Sequence, residues 1–153
     1  MKVLYTAFNG KNNSSKLLLD KIIGDKLYLK NSFITSVNSL IDKISDYDLV
    51  ISFGQAPLKK GVLKIELIGR GQDYYQTDYN YHNLEALLKK YYDVKVSCDA
   101  GNYLCNNLYY HGLKYISDNQ IKTKMIFIHI PKVKELDNID LLASIFNGGK
   151  IWD

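Results

Sequence analysis

Hydrophobic positions along this chain follow two periods, and together they predict an alternation of strands and helices. Short apolar runs indicate strands at residues 3–6, 26–29, 48–53, 61–68, 94–96 and 125–130. Apolar residues recurring every three or four positions indicate helices from Ser14 or Ser15 to about Ile23 and at residues 36–44, 83–92, 105–118 and 137–146. The polar and aromatic segment 69–81 has no period and is predicted to be a loop.

This order of elements predicts one α/β domain over residues 1–153, with a mostly parallel, twisted sheet and helices on both of its faces. The runs 48–53 and 125–130 are apolar on both sides, which is typical of central strands. Ligands of such sheets bind outside the carboxyl ends of the strands. The residues predicted at that edge are Phe8, Gly54, Gln55, residues 99–105 and His129.

Composition narrows the class of protein. Of the 153 residues, 46% are hydrophobic and 24% are charged, as in an ordinary globular protein. No apolar run approaches the roughly 20 residues of a membrane helix, and the N-terminal apolar run is too short for a signal peptide. We therefore expect a cytosolic protein that does not bind membranes.

Charge and cysteine spacing exclude further classes. The net charge of +4 comes from scattered lysines with Arg70 as the single arginine, so nucleic-acid binding is not predicted. Cys98 and Cys105 lie seven positions apart, which is neither a CxxC pair nor a zinc pattern. No motif indicates a metal or a cofactor.

Three side chains are candidates for nucleophilic chemistry. Cys105 falls in the opening of a predicted helix, where the partial positive charge of free N–H groups favours a thiolate. His129 lies near the carboxyl end of a buried strand and is the best-placed base. His111 follows Cys105 by six residues on the same helix, a rotation of about 600°, so it faces away from Cys105. Glu66, on an otherwise apolar strand, is a candidate to orient the imidazole. The pattern alone leaves open an inert cysteine, a structural histidine and a glutamate that faces water.

Several motifs resemble those of the pyroglutamyl peptidase I family of cysteine peptidases. Residues 99–106 and 127–131 resemble the family's cysteine and histidine motifs and read DAGNYLCN and FIHIP. Weaker similarities lie in residues 4–8, 50–56 and 64–68, which read LYTAF, VISFGQA and KIELI. The chain is shorter than typical members, chiefly between Glu66 and Cys105.

The resemblance implies a three-layer α/β/α sandwich with a Cys105–His129–Glu66 catalytic triad. It implies an exopeptidase that removes N-terminal pyroglutamate from peptides through a thioester, without metal or cofactor. The helix of Cys105 could be capped by Asp99 or by Asn102. The family arrangement favours a start near Asn102, which would leave the Cys105 N–H free for an oxyanion.

The resemblance also implies a lactam pocket lined by Phe8, Gly54 and Gln55. Arg70 is the available counterpart of an arginine near the oxyanion, but it is offset and reads equally well as a surface charge. Because the pocket loops depart from the family pattern, the same triad acting on another small amide is an alternative. A non-catalytic binding protein on the same fold is a second alternative. The family often forms oligomers, so a homo-oligomer is a further expectation.

Overall fold

A six-stranded sheet forms the centre of the computed structural model, which describes residues 1–149. The strands are β1 (Val3–Phe8), β2 (Asp25–Leu29), β3 (Leu49–Ala56), β4 (Val62–Glu66), β7 (Asp93–Ser97) and β8 (Lys124–Pro131). Their spatial order is β2-β1-β3-β8-β4-β7, so β3 and β8 lie at the centre, as their two-sided apolar sequences predict.

Five helices cover the sheet: α1 (Ser14–Lys21), α2 (Phe33–Ile44), α3 (His82–Lys89), α4 (Leu104–Asp118) and α5 (Ile139–Asn147). Polar side chains fix where three of them begin. The Asn13 side chain accepts hydrogen bonds from the backbone of Ser15 and Lys16, and Ser32 and Asn138 cap α2 and α5 in the same way.

Alternation along the strands divides the core into two clusters. On β8, Ile126, Ile128 and Ile130 pack in the cluster that holds the buried side chains of α1, α3 and α5. Met125 and Phe127 pack in the other cluster, with those of α2 and α4. Because side chains alternate in direction along a strand, His129 faces the α2 and α4 side. The predicted three-layer α/β/α sandwich is confirmed.

One antiparallel step interrupts the parallel sheet. Strands β2, β1, β3 and β8 run parallel to one another, whereas β4 pairs antiparallel with β8 and parallel with β7. In this register Lys64 lies opposite His129 and Glu66 lies opposite Phe127. Glu66 therefore lies one diagonal step from His129, on the same face of the sheet.

The prediction of a loop at residues 69–81 is wrong in part. The chain leaves the main sheet after Glu66 and forms a separate antiparallel hairpin of β5 (Ile68–Arg70) and β6 (Tyr74–Gln76). Three-residue strands are too short to show a period of two, so the sequence gives no signal for them. The predicted strand 61–68 accordingly ends at Glu66.

The predicted single domain covers residues 1–153. Residues 150–153 lie outside the described residues, so the extent of the domain stays a prediction. No helix within residues 1–149 is both long enough and apolar enough to cross a membrane.

Gly69 permits the close packing of the hairpin on α4. A Cβ atom at this position would lie 2.6 Å from both the Cα and the backbone N of Tyr110. We expect Gly69→Ala to lower the free energy of unfolding by about 1–3 kcal/mol, because the helix backbone must move. Urea denaturation measures the change.

Gly148→Ala is the matched control, because its Cβ would meet no atom closer than 3.4 Å. A change below about 0.5 kcal/mol is expected for it. Equal stabilities for Gly69→Ala and the parent chain would contradict this packing of hairpin against helix.

Candidate active site

The candidate active site contains a buried pair of side chains, the imidazole of His129 and the carboxylate of Glu66. Nδ1 of His129 lies 2.7 Å from Oε2 of Glu66, and the two residues are 5% and 1% exposed. The other carboxylate oxygen, Oε1, is buried without a hydrogen-bond partner. With Glu66 ionised, Nδ1 of His129 carries the proton that this bond requires, and Nε2 presents a free lone pair. The predicted association of Glu66 with His129 is thus present.

Cys105 is the second residue of α4 and approaches the sheet where β3 has no side chain. A Cβ atom on Gly54 would lie 2.6 Å from Sγ of Cys105 and 2.9 Å from the ring of Phe127. Gly54 pairs in register with His129 on the neighbouring strand. The glycine therefore gives the thiol its place above the central strands, beside the strand position of His129.

Cys105, His129 and Glu66 line one cleft of about 300 Å³. The remaining lining residues come from the end of β3, from β4 and from the loop before α4: Gln55, Ala56, Pro57, Lys64, Asp99, Ala100, Gly101, Asn102 and Tyr103. Within residues 1–149 no hydrogen bond joins Sγ of Cys105 to the imidazole of His129. The structure thus brings the three candidate side chains to one cleft, without a hydrogen bond between the Cys105 thiol and the His129 imidazole.

The expected low pKa of Cys105 is wrong. Burial raises the pKa of the thiol to about 12, and the negative charge of Glu66 acts in the same direction. Loss of water around a thiolate here outweighs the favourable field of the helix end. At neutral pH the thiol therefore keeps its proton until a base removes it.

Free backbone donors surround the thiol. Helix α4 begins at Leu104, and its N-cap residue Tyr103 makes no side-chain hydrogen bond to the helix. In the described part of the chain, the backbone N–H groups of Leu104, Cys105 and Asn106 have no acceptor. The late helix start agrees with the family arrangement, but neither Asp99 nor Asn102 caps the helix. Oδ1 of Asp99 instead accepts the N–H of Gly101.

Asn106, the residue after the nucleophile candidate, joins α4 to the hairpin. Its Oδ1 accepts the backbone N–H of Arg70 at 2.9 Å, and its Nδ2 donates to the carbonyl of Arg70 at 2.8 Å. The hydroxyl of Tyr109 donates to the backbone carbonyl of Glu66 at 2.8 Å. The start of α4 is therefore tied both to the hairpin and to the strand of Glu66.

The residues predicted to bind substrate fall in different places. Gln55 lines the cleft, and its Oε1 accepts the backbone N–H of Ser14 at 3.1 Å, which leaves its amide N–H groups as donors. Phe8 is 3% exposed and packs in the cluster of α2 and α4, away from the cleft lining. Arg70 lines a neighbouring cavity, where its Nε donates to the carbonyl of Cys98 and its guanidinium lies over Tyr74. Their roles in substrate binding stay predictions.

Lys64 is a cleft residue that the sequence analysis missed. It shares a face of β4 with Glu66, two positions away, and lies opposite His129. The alternation of residues 62–68 carries this signal, because any side chain in phase with Glu66 must face the same side. The loop residues Ala100 and Tyr103 were not predictable in this way, since their position depends on where α4 begins.

A thiol, an imidazole and a carboxylate in one cleft, with free backbone donors beside the thiol, are the parts of a cysteine-type hydrolase. No three His, Cys, Asp or Glu side chains among residues 1–149 come together as metal ligands. The class that the fold and the cleft indicate is a cysteine peptidase on a three-layer α/β/α sandwich.

Comparison with known proteins identifies the family. The sequence profile of the family described as pyroglutamyl peptidase matches residues 74–142. Pyrrolidone-carboxylate peptidase 1 of Caldanaerobacter subterraneus is 31% identical, over 88% of this chain and 84% of that protein. Pyrrolidone-carboxylate peptidase of a Thermoanaerobacter species is 30% identical, over 86% of this chain and 82% of that protein.

Solved structures show the same fold at lower identity. Pyroglutamyl peptidase I of Bacillus amyloliquefaciens superimposes with a TM-score of 0.82 at 20% identity, over 95% of this chain and 93% of that one. Pyrrolidone carboxyl peptidase of Fervidobacterium islandicum gives 0.81 at 21% identity, over 95% and 94%. The chain belongs to the pyroglutamyl peptidase family. This confirms the predicted family and the predicted class, a cysteine-type exopeptidase.

We expect Gly54→Ala to lower the reactivity of the Cys105 thiol, because there is no room for a methyl group at position 54. The new methyl group must displace Sγ of Cys105 or the ring of Phe127, and a misplacement of about 1 Å can cost on the order of 10²-fold in rate. We expect Cys105 to react at least about tenfold more slowly with iodoacetamide at pH 7. Peptide mass spectrometry measures Cys105 separately from the exposed Cys98.

Ser52→Ala is a control on the same strand and face, where the hydroxyl of Ser52 bonds to that of Thr6 at 2.7 Å. It should leave the labelling rate of Cys105 unchanged. Unaltered labelling in Gly54→Ala would mean that the thiol does not depend on this contact.

Proposed function

We propose that this protein removes N-terminal pyroglutamate from peptides with Cys105 as nucleophile, His129 as general base and Glu66 as the group that orients His129. The observation that carries the proposal is the buried His129–Glu66 pair in the cleft of Cys105. The pyroglutamyl and pyrrolidone-carboxylate peptidases that the chain resembles supply the substrate class.

In the proposed reaction, Nε2 of His129 takes the thiol proton while Sγ of Cys105 bonds to the carbonyl carbon between pyroglutamate and the next residue. The N–H of Cys105 and its free neighbours would hold the oxyanion. The carbon–nitrogen bond then breaks, and His129 returns the proton to the leaving amine. Water activated by His129 hydrolyses the resulting thioester, which releases pyroglutamate and restores the thiol.

Glu66 makes this proton transfer possible without touching the substrate. Its Oε2 holds the proton on Nδ1, so Nε2 remains the acceptor, and its charge stabilises the imidazolium that forms. The raised pKa of Cys105 gives His129 a necessary role, because little thiolate exists near pH 7 before the proton is transferred.

Gln55 is the proposed donor for the lactam. The hydrogen bond from Ser14 N–H fixes which side of its amide is the oxygen, and the amide nitrogen is left for a substrate carbonyl. The proposal also includes a cytosolic location, where the free thiols of Cys98 and Cys105 would stay reduced. The expected homo-oligomer stays a prediction.

Hydrolysis of a neutral pyroglutamyl amide reporter tests the proposed activity. Release of the reporter amine is expected from the purified chain, and Cys105→Ser should lower the rate by at least about 10³-fold. Glu66→Gln should lower kcat by about 10²- to 10⁴-fold with a small change in KM, because the imidazole loses its fixed tautomer.

Cys98→Ser serves as the matched control, since Cys98 is exposed and lies outside the cleft lining. It should keep full activity. No release of amine by folded protein, as judged by circular dichroism, would refute the proposed substrate. Acylation of Cys105 by another amide would then favour a related amide hydrolase.

The pH dependence of Cys105 alkylation tests the base directly. The pKa of the thiol is raised, so the thiolate fraction is very small at pH 7 and grows about tenfold per pH unit up to about pH 12. If His129 accepts the proton, labelling of the parent chain is faster at pH 7 than this fraction allows. In His129→Ala the extra rate should vanish, and the steep rise toward pH 12 should remain.

Cys98 in the same sample provides an internal reference for reagent and pH. Identical profiles for the parent chain and His129→Ala, both slow at pH 7, would contradict a general-base role. That result would favour a non-catalytic binding protein.

A further inference from the structure

A second, larger cavity continues from the cleft past the ends of β3 and β8. It measures about 860 Å³ and shares Gln55 and Pro57 with the cleft. Its remaining lining is mostly apolar or charged, with one neutral amide: Asn12, Leu58, Lys59, Lys132, Val133, Lys134 and Glu135. We call it the lysine groove. Its volume falls in the range of about 300–1,000 Å³ that ligand pockets occupy.

The lysine groove begins next to the proposed reaction centre. Gly54 pairs with His129, Gln55 with Ile130 and Ala56 with Pro131, so both strands leave the cleft side by side. Lys132, which is extended, follows His129 by three residues, a distance of about 10 Å at a strand rise of about 3.3 Å. That span matches two or three residues of an extended peptide.

The lysine side chains that line the groove are not paired with other groups in the described part of the chain. Within residues 1–149, the side-chain ammonium groups of Lys59, Lys132 and Lys134 form no ion pair and no hydrogen bond. Glu135 contributes one negative charge, so the groove carries an excess of two positive charges. Leu58 and Val133 add apolar surface to the lining of the same groove.

Another cavity adjoins the cleft near Asn102 and Tyr103, and its lysine and arginine side chains already have partners. It shares Asn102 and Tyr103 with the cleft and also contains cations. However, Lys114 pairs with Asp118 at 2.6 Å, and Arg70 donates to a backbone carbonyl and lies over Tyr74. Of these two flanking cavities, the lysine groove is therefore the one whose lysine and arginine side chains have no partner among residues 1–149.

We infer that the lysine groove binds the substrate residues that follow the scissile amide and favours a carboxylate on them. This inference rests on the proposed function and specifies its substrate class as short pyroglutamyl peptides that carry a negative charge. The charge could come from the C-terminal carboxylate or from an acidic side chain, since the two have the same chemistry.

Matched peptides distinguish the two sources. Pyroglutamyl-alanine is compared with pyroglutamyl-alanine amide for the terminal carboxylate, and pyroglutamyl-alanyl-glutamate amide with its glutamine counterpart for the side chain. We expect kcat/KM to be about three- to tenfold higher for the charged member of at least one pair, mainly through KM. Added salt at 0.5 M should reduce the ratio, because the charges are exposed.

The variant Lys59→Gln/Lys132→Gln/Lys134→Gln should bring the ratio close to one while the neutral reporter is still hydrolysed. Lys114→Gln, the control on the other side of the cleft, should keep the preference. Binding of the same peptides to Cys105→Ser by calorimetry should show the same order.

Two kinds of failure remain distinct. If the neutral reporter is hydrolysed and both pairs give ratios within twofold of one, the inference is overturned and the proposed function stands. If neither the reporter nor any peptide is hydrolysed, the proposed function and this inference fall together. A preference that persists in the triple lysine variant would also overturn the role of the groove.

Discussion

The antiparallel pairing of β4 with β8 is the constraint on which the candidate active site depends. It is the single reversal within an otherwise parallel set of neighbours, and it places Glu66 diagonally from His129 on the face covered by α4. With β4 antiparallel, Glu66 at its carboxyl end lies opposite Phe127, on the side of His129 that is toward the amino end of β8. The bond between imidazole and carboxylate is therefore a consequence of topology as much as of side-chain chemistry.

Burial sets the electrostatics of this arrangement. Glu66 and His129 are almost fully enclosed, and a carboxylate there would be costly without the imidazole as partner. The same enclosure raises the pKa of Cys105, and the negative charge of Glu66 acts in the same direction, so the protonated thiol is favoured at neutral pH.

Much of the sandwich could be predicted because β3 and β8 are apolar on both sides and the helices show clear three- and four-residue spacing. Cys105, His129 and Glu66 were singled out by motifs, by the alternating strand that carries Glu66 and by the continuous apolar strand that carries His129. The β5–β6 hairpin could not be predicted, since its strands are too short for a period and depend on contact with α4. The pKa of Cys105 could not be predicted either, because a helix start alone favours a thiolate and only tertiary packing shows the loss of water. Phe8 was assigned to the pocket from a motif, but its place in the core depends on tertiary packing with the buried side chains of α2 and α4.

The double hydrogen bond from Asn106 to position 70 uses only the backbone of Arg70. A change of the side chain at this position therefore leaves the contact with the start of α4 intact. Proline is the exception, because it has no N–H to donate to Oδ1 of Asn106. Asn106 contributes its side chain to this contact, whereas Arg70 contributes only its main chain. The contact would therefore constrain the residue type at position 106 and leave position 70 free to vary.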